Sequence, residues 1–528
     1  PAAAAAAWSS RPTLNDPQPA AASATARDVP APPAEAQPEP LAIAEQPWNA
    51  PPWMAPRRPS SFAQAAPALR HSALRFPDAP FTPPDPASHE HRLPSGLRAF
   101  IAPEAVLPLA RVTLFVNAPP QRDPAGKEGL SDLLAAILRR AGTASRTREQ
   151  FEQALARLNA TLTIETNPTG PRLHLVSPPE GAAEALALLG ELVAAPDIQS
   201  VFEAERERAA VSAARAADSP IYQARLLFDL ALDGPRENLG RRATRASVQG
   251  ITLDDVRRHH AERFRADRIA LAISGRVERS GIQQAVADAF GALPGEKPGA
   301  YSNDTAIDSF PSKGRVVVTK DLDIRQAHVH IGHHGISRIP EDHAALEVMN
   351  YILSGGGFVS RMMKLLRTDT GITSALYGSV EPGRDVVKPY LWSFTGAPDT
   401  IARGVRLALE QIETMREKGV TEEEFQAART AYIDGLVPAS YETAHLVATR
   451  LATKALFGLY DYQSPQYLNY YAGDAEQLAA LRRLTREDVN RAAQRYLDPA
   501  NIVIAVAGPM ALIQEHATAD ERPLVSGR

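Results

Sequence analysis

The stretch Ile251-Thr-Leu-Asp-Asp-Val-Arg-Arg-His-His-Ala-Glu-Arg-Phe-Arg-Ala-Asp-Arg-Ile-Ala-Leu-Ala-Ile-Ser-Gly275 aligns without gaps on Leu484-Thr-Arg-Glu-Asp-Val-Asn-Arg-Ala-Ala-Gln-Arg-Tyr-Leu-Asp-Pro-Ala-Asn-Ile-Val-Ile-Ala-Val-Ala-Gly508. Each copy reads as a capped helix feeding an apolar strand. Thr252 and Thr485 are natural N-caps, and the acids that follow suit the positive end of a helix. The runs Ile269 to Ile273 and Ile502 to Val506 are strands, and each unit closes at a glycine. A repeat this long means duplication of a whole domain, not a solenoid of short units.

Other parts recur in the same order. Ala110-Arg-Val-Thr-Leu-Phe-Val116 reads as a central strand with a helix at 129 to 140 behind it, mirrored by Ala327-His-Val-His-Ile331 and a helix from Asp342 to Leu353. Arg92-Leu-Pro-Ser-Gly-Leu-Arg-Ala-Phe-Ile101 reads as a strand pair around Pro94-Ser95-Gly96. The expected fold is α+β, with two homologous domains over 88–298 and 312–516, each a mixed, mostly antiparallel sheet packed against helices. Leu293-Pro-Gly-Glu-Lys-Pro-Gly-Ala-Tyr-Ser-Asn303 marks a linker centred on 299–311, and 517–528 reads as a C-terminal tail. Residues 1–87 are Pro/Ala-rich without hydrophobic periodicity, so they read as an extended tail. Trp8, Trp48 and Trp53 lie in it, as docking anchors or as parts of a plain spacer.

Composition narrows the function classes. With 57 Lys+Arg against 61 Asp+Glu, the chain has no basic field to draw nucleic acid. No run of 18 or more apolar residues could span a bilayer. Cysteine is absent, which removes disulfides and thiolate chemistry. That absence, the Pro/Ala-rich leader region and a start at Pro1 without Met lead us to expect an exported, periplasmic bacterial protein.

Several short motifs fall in one order: Pro124-Ala-Gly-Lys-Glu-Gly-Leu130, the Gly-Leu…Gly-Thr frame from Gly129 to Thr143, Glu205-Arg-Glu-Arg-Ala-Ala-Val-Ser-Ala-Ala-Arg215, the repeated glycine ends, and Leu353-Ser-Gly-Gly-Gly-Phe-Val-Ser-Arg361. Together they resemble the pitrilysin/insulinase-type zinc peptidases, the family of mitochondrial processing peptidase. The resemblance implies processing-peptidase-like domains, two pairs of which close into a chamber around a peptide. In that family the Gly-Leu…Gly-Thr frame encloses H-x-x-E-H. Positions i, i+3 and i+4 share a helix face, so two imidazoles hold zinc while a carboxylate polarises water. Here the window is Asp132-Leu133-Leu134-Ala135-Ala136, and the family's third ligand, a glutamate, falls on Ala214. Alanine has no lone pair to offer, and one carboxylate does not make a zinc site. The chain is therefore expected to hold no metal, need no cofactor and catalyse nothing.

The same resemblance implies substrate contacts in the second domain. The family places an arginine and a tyrosine seven residues apart, and this chain has Arg367 with Ser374 at the tyrosine position. A serine hydroxyl falls short of a phenol's reach. Tyr377 lies three residues on, and in a regular strand it faces away from Ser374. Gly355, Gly356 and Gly357 read as a turn allowing close backbone approach near the substrate channel. Glu207, where the family often has an acid supporting the metal site, reads as a helix-surface charge paired with Arg206 or Arg208. Ser131 and Ser212 lack the context of an activated nucleophile. His328, His330, His333 and His334 read as strand histidines at a surface or subunit face, and His259 and His260 as ordinary exposed residues.

The function expected from this pattern is a non-catalytic subunit of a heteromeric peptidase. A separate, homologous H-x-x-E-H subunit brings the zinc, and this chain completes the chamber and binds a peptide or unfolded protein. The alternative is a peptidase-derived scaffold or peptide-binding module in a larger assembly without proteolysis.

Overall fold

The two repeated strands occupy equivalent places in two sheets. A computed structural model describes residues 81–167, 169–234, 241–295, 314–335, 342–380, 389–456 and 473–527. The expected tail up to residue 80, with its tryptophans, and the expected linker lie outside the described residues, while the last residues of that tail enter a short helix, Pro86–His89. In the first sheet β1 (Glu90–Arg92), β2 (Arg98–Pro103), β3 (Ala110–Val116), β4 (Thr161–Glu165), β5 (Arg172–Ser177) and β6 (Ile269–Gly275) run in the order β1-β2-β6-β3-β5-β4, with β2 and β6 the parallel pair. In the second, β7 (Val316–Asp321), β8 (Ala327–His334), β9 (Thr373–Ser379), β10 (Pro389–Gly396) and β11 (Val503–Gly508) run β7-β11-β8-β10-β9, with β7 and β11 parallel. Apart from β1 the orders are the same. Both sheets are mixed and mostly antiparallel.

Among the helices are α1 (Leu130–Arg140), α2 (Ala182–Ala194), α3 (Ile198–Asp218), α4 (Pro220–Asp233), α5 (Leu253–Arg263) and α6 (Arg279–Phe290). The second half adds α7 (His343–Asn350), α8 (Pro398–Lys418), α9 (Ala444–Leu456), α10 (Arg486–Tyr496) and α11 (Arg522–Val525). The repeated helices α5 and α10 both start in capping boxes, Thr252 with Asp255 and Thr485 with Asp488. On one face of the first sheet Val112, Leu114, Leu173, Leu175, Leu271 and Ile273 share a core with Leu133 and Leu134 of α1, Leu186 of α2, Phe202 of α3 and Phe290 of α6.

The opposite faces are covered by an exchange. Pro220 cannot continue α3, and it holds Ser219 extended, so the chain turns into α4. That helix leaves its own half and packs on β11, β8 and β7. Ala224, Phe228 and Leu232, spaced four apart, form its buried stripe, and Phe228 and Leu232 join Val503 and Ala505 in one cluster. In return α9 packs on β6, β2 and β3 of the first sheet. The described residues from Thr82 onward accordingly form a single unit.

Polar groups fasten the exchanged helix. Asp229 is wholly buried and accepts from the guanidinium groups of Arg225 and Arg242, and Asp233 pairs with His334 of β8 at 2.6 Å. The strand histidines therefore differ from the surface expectation. His330 and His333 are buried, and burial holds His330 down at about 3. The reason is that β8 is an inner strand of its sheet, with α4 lying across the face of His330 while His333 packs on the opposite face against Tyr390 and Trp392.

Residues 517–526, expected as a tail, are also packed. Here α11 lies on β7, buried Glu521 accepts from Arg406 at 3.1 Å, and the Thr319 hydroxyl donates to the Gly527 carbonyl. No helix of the described residues is long and apolar enough to cross a membrane.

Candidate functional site

The helix that would carry a metal motif is built as a rigid element. Gly129 precedes it with φ +98°, and a Cβ there would come within 3.0 Å of Ala243 and Val248. Buried Asp123 caps it, accepting from the backbone N–H of Gly129 (3.0 Å) and Ser131 (3.1 Å). The Ser131 hydroxyl donates to Asp123 at 2.6 Å, so its lone pair receives His259 Nε2–H at 3.0 Å.

This Asp-Ser-His set contains the residue types of a nucleophilic triad in the wrong order. The serine proton goes to the carboxylate, and the imidazole donates to serine instead of accepting from it. All three side chains are buried. Burial, reinforced by Arg263 and His260, lowers His259 to about 4, so it stays neutral. The expectation that His259 and His260 are exposed is corrected. His259 ties α5 to the start of α1, while His260 stacks on Phe264 and contacts the Val193 carbonyl at 3.0 Å.

The five-residue window of α1 divides between two environments. Leu133, Leu134 and Ala135 are buried, Ala136 is half-buried and Asp132 opens to solvent. The helix packs along α3, which carries half-buried Ala214, and against the edge strand β4. Asp132 has no hydrogen bond or ion pair among the described residues. Its carboxyl is nevertheless pushed up to about 6, chiefly by desolvation and then by the charge of Asp123, with Arg139 opposing. Among the described residues no three His, Asp or Glu side chains converge on a point where a cation could sit. Asp132, Ala135, Ala136 and Ala214 supply one carboxylate and three methyl groups, which do not fit zinc.

On α3, buried Glu205 pairs with Arg208 and Arg140, and exposed Glu207 pairs with Arg245 at 3.2 Å, not with Arg206 or Arg208. Ser212 is exposed, and its hydroxyl has no hydrogen-bond partner among the described residues.

In the second half, α7 continues through a π-helical turn (Tyr351–Gly355) into the glycine turn, and a second π-helical stretch (Lys364–Asp369) carries Arg367. Such turns are often kept at functional sites. Gly357 has φ +62°, and the turn lifts Phe358 and Val359 into solvent. The exposed Arg367 guanidinium stacks over the Phe358 ring at 4.4 Å.

Ser374 and Tyr377 lie on β9, the free edge of the second sheet, and both are exposed. The pairing with β10 explains why. Leu376 sits opposite Phe394 and Thr373 opposite Gly396, so β9 has one extra residue there. This bulge flips the alternation and returns Tyr377 to the face of Ser374, contrary to the regular-strand expectation. The Thr373 hydroxyl holds it, accepting from the Ala375 N–H at 3.2 Å.

Comparison with known proteins follows the same lines. Residues 250–432 match the model of the peptidase M16 inactive domain. A Helicobacter pylori protein described as the non-peptidase homologue YmxG is 25% identical over 353 residues, covering 66% of this chain and 78% of that protein. The crystal structure of a peptidase M16 inactive domain from Pseudomonas fluorescens superposes with a TM-score of 0.68 at 21% identity, over 80% of this chain and 97% of that one. A chain of complex III2 from Candida albicans superposes with a TM-score of 0.60 at 15% identity, over 83% and 99%.

Proposed function

We propose that this chain, a non-catalytic homologue of the M16 zinc peptidases, serves as the peptide-binding subunit of a heteromeric peptidase, with the zinc on a separate homologous chain. The observation that carries the reading is the state of α1. The helix keeps its cap and its packing on α3 and β4, while the positions that would ligate metal hold Asp132, Ala136 and Ala214. A scaffold preserved around an erased reaction centre retains binding energy without bond cleavage.

Two edges offer that binding. The outer sides of β4 and β9 pair with no further strand among the described residues, and an extended peptide can add to such an edge. Beside β9, Arg367, the Gly355–Gly357 turn, Ser374 and Tyr377 present a cation, exposed backbone and two hydroxyls to a peptide. Tyr377 supplies the phenol that Ser374 lacks.

The test is reconstitution. The isolated chain should contain no stoichiometric zinc by elemental analysis, and adding it to its H-x-x-E-H homologue should raise peptide hydrolysis. Arg367→Ala and Tyr377→Phe should weaken that stimulation. A homologue equally active with and without this chain would sink the proposal. The second reading, a scaffold in a larger assembly, draws on the fold shared with the complex III2 chain, and purification with a large assembly lacking any H-x-x-E-H chain would favour it.

A further inference from the structure

The face of the first sheet turned away from its own helices is polar, and α9 covers only part of it. Cross-strand registers place its side chains in three rows: Ser274, Arg111, Val176 and Thr161; then Ala272, Thr113, His174 and Thr163; then Ala270, Phe115, Arg172 and Glu165. Neighbours within a row stand about 5 Å apart. Thr161, Thr163 and Glu165 are exposed, and 31% of the His174 side chain is open, so the β4–β5 side is accessible. From the other side His445 of α9 reaches down to Ser274 at 3.2 Å, and Leu446 next to it is exposed.

Charge on this face is unbalanced. Arg172 lies opposite Glu165 and over the Phe115 ring, yet its buried Nε has no hydrogen-bond partner. His174 is held by the Thr113 hydroxyl at 3.0 Å and by Glu165 at 3.6 Å. Arg111, between Ser274 and Val176, has no hydrogen bond or ion pair among the described residues. Burial pushes His445 below its usual range, and Arg111 and His174 push it further, with no acid opposing. Glu165 is the acid of these three rows, and it lies two rows from Arg111 and pairs with His174, so the half-buried Arg111 guanidinium and the His445 imidazole are complementary to an oxyanion.

We infer that this face carries a carboxylate-binding site centred on Arg111, with His445 held beside it by Ser274, and that the site takes an acidic side chain or the terminal carboxylate of a bound peptide. The inference rests on the peptide-binding reading above and adds a preference to it. A peptide that crosses this face with an acidic side chain or its free end over β3 is retained, whereas one added to the β4 edge lies about 14 Å from Arg111. Arg111 supplies a two-pronged donor that lysine replaces only in part.

The test uses the full chain and fluorescent peptides of one sequence carrying Glu or Gln at alternate positions, each with a free or an amidated end, read by anisotropy. The Glu or free-acid peptide should bind at least tenfold more tightly than its neutral counterpart. Arg111→Gln should remove that difference without changing affinity for the neutral peptide, and Arg111→Lys should keep part of it. Whether Glu or the free end carries the preference identifies the carboxylate. Equal binding of acidic and neutral peptides overturns the inference and leaves peptide binding intact, as does an Arg111→Gln chain that still prefers the acid. If no peptide binds, the peptide-binding reading fails, and labelling of Arg111 by phenylglyoxal, read by mass spectrometry, decides the site. Protection by glutarate supports it, and labelling unchanged by glutarate overturns it.

Discussion

Replacing Phe228 by alanine should loosen both halves of the molecule at once. Its ring is fully buried on the second sheet, although α4 belongs by sequence to the first half. A Cβ added to Gly332 of β8 would meet the Tyr390 carbonyl oxygen and come within 2.9 Å of the Phe228 ring, so the ring is seated directly on backbone. Removing such a ring costs about 3–5 kcal/mol, a large share of the stability of an ordinary fold. Because α4 and α9 are exchanged, neither sheet can lose its cover without uncovering the other. Hydrogen exchange followed by mass spectrometry, on peptides from β6 and β11, should show both strands opening with the same free energy and both weakened by Phe228→Ala. Ile221→Ala, on the same helix but 59% exposed, should change either strand by no more than about 0.5 kcal/mol. Loosening confined to β11, with β6 keeping its original protection, would show that the halves are independent and refute the interlock.

Other outcomes follow from single sites. With its folded carboxyl at about 6 against 3.8, Asp132 binds more protons in the folded chain than in the unfolded one, so it makes stability fall as pH rises through that window. Asp132→Asn should flatten that part of the Tm-against-pH curve, and parallel curves would show that the Asp132 carboxyl is not raised in the folded chain. His259 has the opposite sign. Its folded value of about 4 lies below 6.5, so stability is lost as pH falls between the two, by up to roughly 3 kcal/mol, and His259→Gln should remove that acid slope in urea titrations. Asp132→His, Ala136→His and Ala214→Glu together should give a chain that retains zinc through gel filtration, and failure to do so would show that α1 and α3 do not hold ligand geometry. Adding Ala135→Glu should cost several kcal/mol, seen as a lower urea midpoint, because that position is wholly buried.

That three of these positions offer a metal no donor could be read in the sequence because it depends on which atoms exist. No packing gives Ala135, Ala136 or Ala214 a lone pair. The two repeated helix–strand units were legible for a related reason, since N-caps and apolar runs act over a few residues and carry their own signal. Arg367 was legible through the arginine–tyrosine spacing of the resemblance, which carried no sign of its stacking on Phe358. The Asp123 cap and its link through Ser131 to His259 were missed. Those contacts join residues up to 128 positions apart, and the only local hint was an acid ahead of a glycine-opened helix.

What the tertiary structure decided is which surface each buried stripe meets. The spacing of Ala224, Phe228 and Leu232 shows that one side of α4 avoids water, but an apolar stripe is equally satisfied by any apolar face. Only chain folding in space sends that stripe to the second sheet and α9 to the first. The same holds for His330 and His334 of β8, which meet Phe228 and Asp233 because α4 arrives from the other half, and for Tyr377, which one extra residue opposite β10 turns to the face of Ser374. Composition and local pattern set the elements and the lost chemistry, while long-range burial, which is non-directional, set the partners.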